Sequence, residues 1–337
     1  MHSPSGTETR TRLRIALVQP QAVAYWEEPW LPEIIGRLRN STHEHDFDLV
    51  DSVAEADLQV FFESGDNDTV SPTLGEYLRG GIPAACVNYL DVPYGFLPGV
   101  YTSLARHRFD PAIHRSLPSW SFPNVLIDSA EPSSPDHADL LFSFLGNPDS
   151  NQVRLRLIRT LGGETGRWDV RAAGCTYDTF HRSDFESYIA LVHRSRFVLC
   201  PAGYAAYSHR IIETLALGRV PVVIADDWVP FSIAEEGYFV RIKERDIAGI
   251  PELLARLDYS MYHRRALAVY HKYFRREVRL SVILNQIVAL YRANPRPFQP
   301  DAIQDRWNSL PFQTWQVLRS TKRRLGRVKG RIKGLIT

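Results

Sequence analysis

Cysteine is scarce and unpatterned. Only Cys86, Cys175 and Cys200 occur in 337 residues, and their odd number and wide spacing exclude a disulfide framework, as the lack of any CxxC or Cys/His cluster excludes a zinc module. A reducing compartment is the expectation. Long apolar runs are missing too: VPVVIA at 220–225 is far short of a membrane span, and the opening MHSPSGTETRTR has no signal-peptide apolar core. Charge of one sign is not in excess either. Forty Lys and Arg against thirty-eight Asp and Glu give a formal +2, which excludes a globally basic nucleic-acid binder. No repeat with a period of 20–50 residues and no low-complexity segment appears, so a solenoid is excluded.

What is present is a globular composition, 44% hydrophobic and 23% charged, in a chain long enough for two domains. The charge is unevenly spread. No acid follows Asp305, while Arg319, Lys322, Arg323, Arg324, Arg327, Lys329, Arg331 and Lys333 add eight positive charges; removing these from the total leaves a net −6 on everything before.

Apolar strand-like runs alternate with amphipathic helical ones. LRIALVQP, DFDLVDS, ADLQVFFESG and IPAACVNYLD read as strands, with WLPEIIGRLRN and SPTLGEYLRGG as helices, the latter under a Ser cap. From 92 to 137 the chain is irregular and rich in Pro, Ser and aromatics, as an interdomain passage or functional loop would be. A second block follows: strand 140–145, helix QVRLRLIRTLGG, strand WDVRAAG, helix SDFESYIALVHRSR, strand 197–200, helix 208–217, strand 220–225 and strand YFVRI. One long helical run is expected from Tyr262 to Tyr291. Alternation of this kind signals parallel sheets covered on both faces. The expected organisation is a polar leader over 1–12, one Rossmann-like domain over 13–137, a second Rossmann-like domain over 138–300 and a basic amphipathic tail over 301–337.

Ligands of open parallel sheets gather beyond the strand carboxyl ends, and the loop CPAGYAAYSHR lies at such a place. Pro201 and Gly203 let the chain turn, Ser208 is positioned as an N-cap, and Arg210 in the first helical turn calls for a compensating anion such as a diphosphate. Glu213, on the same helical face, is suited to a ribose diol; the competing reading is an ordinary surface ion pair. Asp226, Asp227 and Trp228, just past a strand, either touch a ligand or form a turn with Trp228 in the core.

The run SRFVLCPAGYAAYSHRIIETLALGRVPVVIADDWVPFS resembles the exostosin-like glycosyltransferases, glycosyltransferase family 47. Cys200, Pro201, Gly203, Ser208, Arg210, Glu213, Gly218, Pro221, Val222, Asp226, Asp227, Trp228, Pro230 and Phe231 carry it. It continues upstream through LLFSFLGNPDSNQVRLRLI with Gly146 and Arg154, and so covers about residues 138–258, with no family motif in the N-terminal half. A Gly-x-Val-Pro-Val strand is also similar to family 10 fucosyltransferases. The resemblance implies an α/β GT-B fold, two Rossmann-like parallel-sheet domains facing a cleft. It further implies a nucleotide-sugar donor held by Arg154, Gly203, Ser208, Arg210, Glu213, Asp226 and Asp227, and an inverting transfer to a glycan or lipid-linked glycan without an essential metal or other cofactor. A catalytically silent carbohydrate or nucleotide-sugar binder with the same shell is the alternative.

Inversion needs a base for the acceptor hydroxyl. Asp91, Asp66 and Glu63, at or just past strand carboxyl ends, are the candidates, Asp91 first, with His107 behind them. Asp66 and Asp68 also match the Asp-x-Asp metal site of GT-A transferases, which two α/β blocks disfavour. Leu318, Leu325, Val328, Ile332 and Leu335 recur at helical spacing among the basic residues, the pattern of a helix lying on anionic lipid, with nucleic-acid binding or a solvated tail as competing readings. The expected setting is the cytoplasm, at the inner face of a membrane, with no nucleic-acid partner.

Overall fold

The structure, a computed structural model, describes residues 12–18, 31–40, 45–63, 73–118, 125–128, 130, 132, 134, 137–173, 182–319 and 321. The first sheet contains β1 (Leu13–Val18), β2 (Phe47–Val50), β3 (Leu58–Glu63), β4 (Ala84–Asn88), β5 (Gly99–Tyr101) and β6 (His114–Ser116), in the order β2-β1-β3-β4-β5-β6 and parallel throughout. The second contains β7 (Leu140–Gly146), β8 (Gly163–Glu164), β9 (Trp168–Ala172), β10 (Ser195–Pro201), β11 (Val220–Ile224) and β12 (Val240–Arg241), ordered β12-β11-β10-β7-β9-β8. Among the described strands only the β8–β9 pair is antiparallel. Residues of β3, β4 and β11 are buried throughout, as strands covered on both faces must be. Two almost wholly parallel sheets with intervening helices thus give the α/β organisation of two parallel-sheet units expected.

Three readings of the sequence need correction. The irregular stretch 92–137 contains β5 and β6, which extend the first sheet by two strands. The helix in SPTLGEYLRGG is a single turn, α2 (Leu74–Tyr77); its N-cap is Thr73, whose N–H donates to Glu76 Oε2 at 2.5 Å, and Ser71 lies outside the described residues. The run 262–291 is broken: α8 (Tyr259–Val269) passes into a π turn over Tyr270–Phe274, Arg275 is extended, and α9 (Arg276–Ala293) begins a new axis. The buried Arg279 holds that break by donating from Nε to the Phe274 carbonyl at 3.0 Å.

Across the break the chain changes partners. Helix α8 packs on β11, whereas α9 packs on β5, β6 and α1 (Leu31–Asn40) of the first unit. Next, α10 (Pro300–Asn308) lies on α2, and Arg306 Nε donates to the Phe96 carbonyl at 2.6 Å. Ile303 and Phe312 complete a second core cluster with Phe61, Tyr77, Cys86, Phe96 and Tyr101. Among the described residues no helix is long and apolar enough to cross a membrane.

The units meet through carboxyl ends of their strands. Just past β5, Arg106 donates from its backbone N to the Asp227 carbonyl at 3.0 Å and from Nη2 to that of Trp228 at 2.7 Å. At the end of β6, Ser116 N donates to Ser232 Oγ at 2.9 Å and Ser232 N to the Ser116 carbonyl at 2.7 Å. The strand β6 itself is anchored by His114, which is 1% exposed; Nδ1 accepts from Asp110 N at 3.0 Å and Nε2 donates to the Gly95 carbonyl, 2.9 Å away. That pattern uses the neutral ring, and burial pushes its pKa down to about 4. Since the unfolded chain takes up this proton nearer 6.5, stability should fall as pH drops through the window from 6.5 to about 4, by roughly 1.4 kcal/mol per unit at its steepest. Urea unfolding at successive pH values checks this: His114→Gln should show a shallower acid slope than the parent.

Candidate functional site

The second sheet changes direction at β7. The chain runs from β7 to β9 on one side, then α5 (Arg182–His193) carries it back to β10 on the other, so the crevice between the carboxyl ends of β7 and β10 is the topological switch point. Two arginines converge there. Arg210 opens α6 (Arg210–Ala216) and donates to the Leu145 carbonyl from Nε at 3.2 Å and Nη2 at 2.7 Å. Its guanidinium lies over the rings of Phe144 and Tyr188, at 5.3 and 5.8 Å. Arg154 projects from α4 (Gln152–Leu161), whose cap Asn151 accepts from Val153 N at 3.0 Å. Its Nε donates to the Ala202 carbonyl at 2.9 Å, and Asn151 Nδ2 ties the same loop through the Gly203 carbonyl at 2.9 Å.

Two glycines make room for these guanidiniums. A Cβ on Gly203 would stand 2.9 Å from Arg154 Nη2, and one on Gly146 would stand 2.7 Å from Arg210 Nη2 and 2.8 Å from the Phe144 ring. Their importance is steric, since neither is at positive φ.

Arg154 is only 7% exposed, and burial first, then the charge of Arg210, lowers its pKa to about 9. Among the described residues neither arginine forms a salt bridge within 4 Å; their recorded hydrogen bonds go to backbone carbonyls. Two like charges brought together at strand ends are costly without an anion between them. Glu213 is buried one turn along α6, and its charge, after burial, helps raise the Tyr188 phenol well above its ordinary pKa. His209 is pushed down to about 4, by burial, then Arg210, then Arg154. Ser208 departs from the expected cap: the helix begins one residue later, His209 is the cap residue, and the Ser208 hydroxyl is buried with no hydrogen-bond partner among the described residues.

The carboxylates after β11 divide. Asp226 and Glu244 are locked reciprocally, Asp226 N donating to Glu244 Oε1 at 3.1 Å and Glu244 N to Asp226 Oδ1 at 3.2 Å. Asp227 is exposed, whereas Trp228 is core, set edge-on to Phe231 and Phe239. At the carboxyl edge of the first sheet, Glu63 ends β3 and is buried, accepting from Tyr77 Oη and Asn88 Nδ2. Burial raises its pKa against these two hydrogen bonds. Asp91 is half-buried in the bend after β4, His107 is exposed beside Arg106, and Asp66 and Asp68 lie outside the described residues. A cavity of about 270 Å³ lined by Arg167, Arg196 and Tyr259 sits at the opposite, amino edge of the second sheet, away from the strand ends where the two units meet. Sequence reasoning missed Tyr188, the Leu145 carbonyl and the steric role of Gly146; only the last left a trace, a glycine closing a strand.

Residues 99–257 match the family described as the exostosin GT47 domain. The match begins at the first residue of β5, upstream of residue 138, so it takes in the last two strands of the first sheet as well as the motif-bearing second. Over 108 residues the chain is 32% identical to a probable glucuronoxylan glucuronosyltransferase of Arabidopsis thaliana, covering 31% of this chain and 22% of that one. Over 104 residues it is 38% identical to an exostosin-1 homolog of Caenorhabditis elegans, covering 29% and 26%. The chain thus spans about a quarter of the length of these curated relatives. A solved α1,3-fucosyltransferase aligns at 13% identity with a TM-score of 0.39, over 87% of this chain and 92% of its own.

Proposed function

With an exostosin GT47 domain over residues 99–257 as the premise, we propose that the protein is an inverting glycosyltransferase that moves a sugar from a UDP-sugar to a glycan or lipid-linked glycan. The observation that carries the reading is the Arg154–Arg210 pair, two guanidiniums at a topological switch point, neither of them in a salt bridge among the described residues. A diphosphate supplies the missing charge and accepts forked hydrogen bonds from both. Glu213 receives the ribose hydroxyls. Relatives carrying glucuronosyltransferase names support a nucleotide-sugar substrate.

In the proposed reaction the acceptor oxygen attacks the anomeric carbon as the bond from that carbon to the diphosphate oxygen breaks, and the electron pair leaves with the diphosphate. The acceptor proton goes to a carboxylate on the first unit. Asp91 is preferred over Glu63 because it is half-buried rather than enclosed, so an acceptor can reach it; Asp66 is the third candidate. No metal is required for leaving-group departure in this reading, since two arginines take that charge. The reaction takes place in the cytoplasm, on the inner face of a membrane.

Asp91→Asn should lower kcat about 10²–10⁴-fold while leaving UDP affinity within twofold or so of the parent, measured by transfer assays on a nucleotide-sugar panel beside calorimetry. Chelator should leave the parent rate unchanged. Unchanged turnover in Asp91→Asn would move the base to Glu63 or Asp66, and loss with chelator restored by manganese would favour Asp66 and Asp68.

A further inference from the structure

Helix α5 buries one stripe, Tyr188, Leu191 and Val192, at the spacing of a single helical face, and lays it on β7 and β10. Leu191 and Val192 are ordinary core residues. Tyr188 differs, because the two ends of its side chain meet two different charged groups. Its ring lies under the Arg210 guanidinium, 5.8 Å from the centroid, a cation that Phe144 also faces at 5.3 Å. At its tip the hydroxyl faces Glu213. After burial, the Glu213 charge is the strongest influence holding the phenol well above its ordinary pKa, with a hydrogen-bonding contribution from the same carboxylate, while Arg210 acts in the opposite sense.

The side chain is 6% exposed, and no described atom completes a hydrogen bond of ordinary geometry with its hydroxyl. Phenylalanine would fill the same space without burying a hydroxyl that needs a partner. Core volume therefore accounts for the ring and leaves the oxygen to be explained. Among the described residues the carboxylate that acts on it is Glu213, itself buried, and towards a carboxylate a phenol that keeps its proton is a donor. A carboxylate has more acceptor sites than one phenol fills. A proton offered to one oxygen fixes the plane of the group and leaves the other oxygen for a pair of vicinal hydroxyls.

We infer that Tyr188 is a positioning residue that serves both parts of the nucleotide: its hydroxyl sets the Glu213 carboxylate for the ribose diol, and its ring sets Arg210 for the diphosphate. The inference rests on the proposed transferase reading, in which those two groups receive those two parts of the donor. It makes Tyr188 a determinant of ribose over 2′-deoxyribose, acting through Glu213 and not on the ligand. A role in packing alone has a different signature, since a loosened core weakens every ligand of the crevice together.

The test is calorimetry on the full chain with UDP, 2′-deoxy-UDP and inorganic pyrophosphate. The parent should prefer UDP to its 2′-deoxy analogue. Tyr188→Phe keeps the ring and should weaken UDP about three- to tenfold, part of what losing a hydrogen bond to a charged group costs. It should leave 2′-deoxy-UDP and pyrophosphate within about twofold of the parent, so that the preference for the 2′-hydroxyl shrinks. Retained pyrophosphate binding also reports that the crevice of this variant is folded. Tyr188→Leu removes the ring as well and should weaken pyrophosphate about threefold or more; should it fail to fold, Tyr188→Phe decides the matter without it. In a Glu213→Ala background Tyr188→Phe should change UDP affinity by less than about twofold, because the group it positions is gone. A Tyr188→Phe variant that keeps the parent's preference, or that weakens all three ligands alike, would overturn the inference, as would additive losses in the Tyr188→Phe/Glu213→Ala pair. A parent that binds none of the three would remove the nucleotide reading and this role with it, whereas a parent that binds UDP, with a preference Tyr188→Phe leaves intact, would remove this inference alone.

Discussion

Arg210→Ala should weaken UDP binding ten- to a hundredfold while leaving free uridine nearly untouched. The guanidinium is held in place before any ligand arrives, by the Leu145 carbonyl and the faces of Phe144 and Tyr188, so little ordering opposes its bond to a phosphate. Losing a charged hydrogen-bond partner costs about 1.5–3 kcal/mol, which is that range in affinity. Arg210→Lys keeps the charge but loses the fork and should fall between. Arg154→Ala should weaken UDP by a smaller factor, because its removal also relieves the like-charge contact that lowers its own pKa. Glu213→Ala should show the converse pattern, with uridine and UDP weakened together. Calorimetry with UDP, uridine and inorganic pyrophosphate separates these outcomes. Parent-like affinity for pyrophosphate in Arg210→Ala would remove the diphosphate assignment.

Gly99→Ala should be the most destabilising single methyl in the described chain. Gly99 pairs with Cys86 on β4 and His114 on β6, at φ +149. A Cβ there would lie 2.0 Å from the Cys86 carbonyl oxygen and 2.8 Å from its nitrogen, and neither can rotate away as a side chain could. Relief requires β5 to part from β4, with loss of the bond from Cys86 N to the Pro98 carbonyl at 3.0 Å. The cost should be about 3 kcal/mol or more, a fall in midpoint of roughly 6–12 °C. Gly249→Ala, with nothing within 4 Å of the added carbon, is the control. Calorimetric melts of both proteins check it, and a Gly99→Ala midpoint equal to that of Gly249→Ala would disprove the register between β4 and β5.

The sequence displayed most of the second sheet because β7, β10 and β11 are continuous apolar runs punctuated by Gly or Pro, the form a strand buried on both faces takes. It concealed β5 and β6 because Gly-Val-Tyr and His-Arg-Ser are three residues long, too short to show any period. The break at 270–275 was equally hidden. YHKYFR has no Gly or Pro; the axis changes because Phe274 packs on Phe231, ring centres 5.2 Å apart, and Arg279 binds the carbonyl freed there. Arg210 was suspect from its position in a first helical turn. Arg154 was legible only through family resemblance, for no local spacing brings residue 154 to residue 210, and their meeting is a property of adjacent strand ends. Ser208 shows the limit of cap rules: it has the right residue type one position too early.

The break before α9 has a topological consequence. The second sheet is a guest within the first unit: the chain leaves its host after Leu117 and returns at Arg276. Two covalent passages, unlike one, forbid swivelling about a single tether and leave bending about the line between them as the soft motion. The Ser116–Ser232 pair lies near the first of these passages, and the π turn over Tyr270–Phe274 at the second.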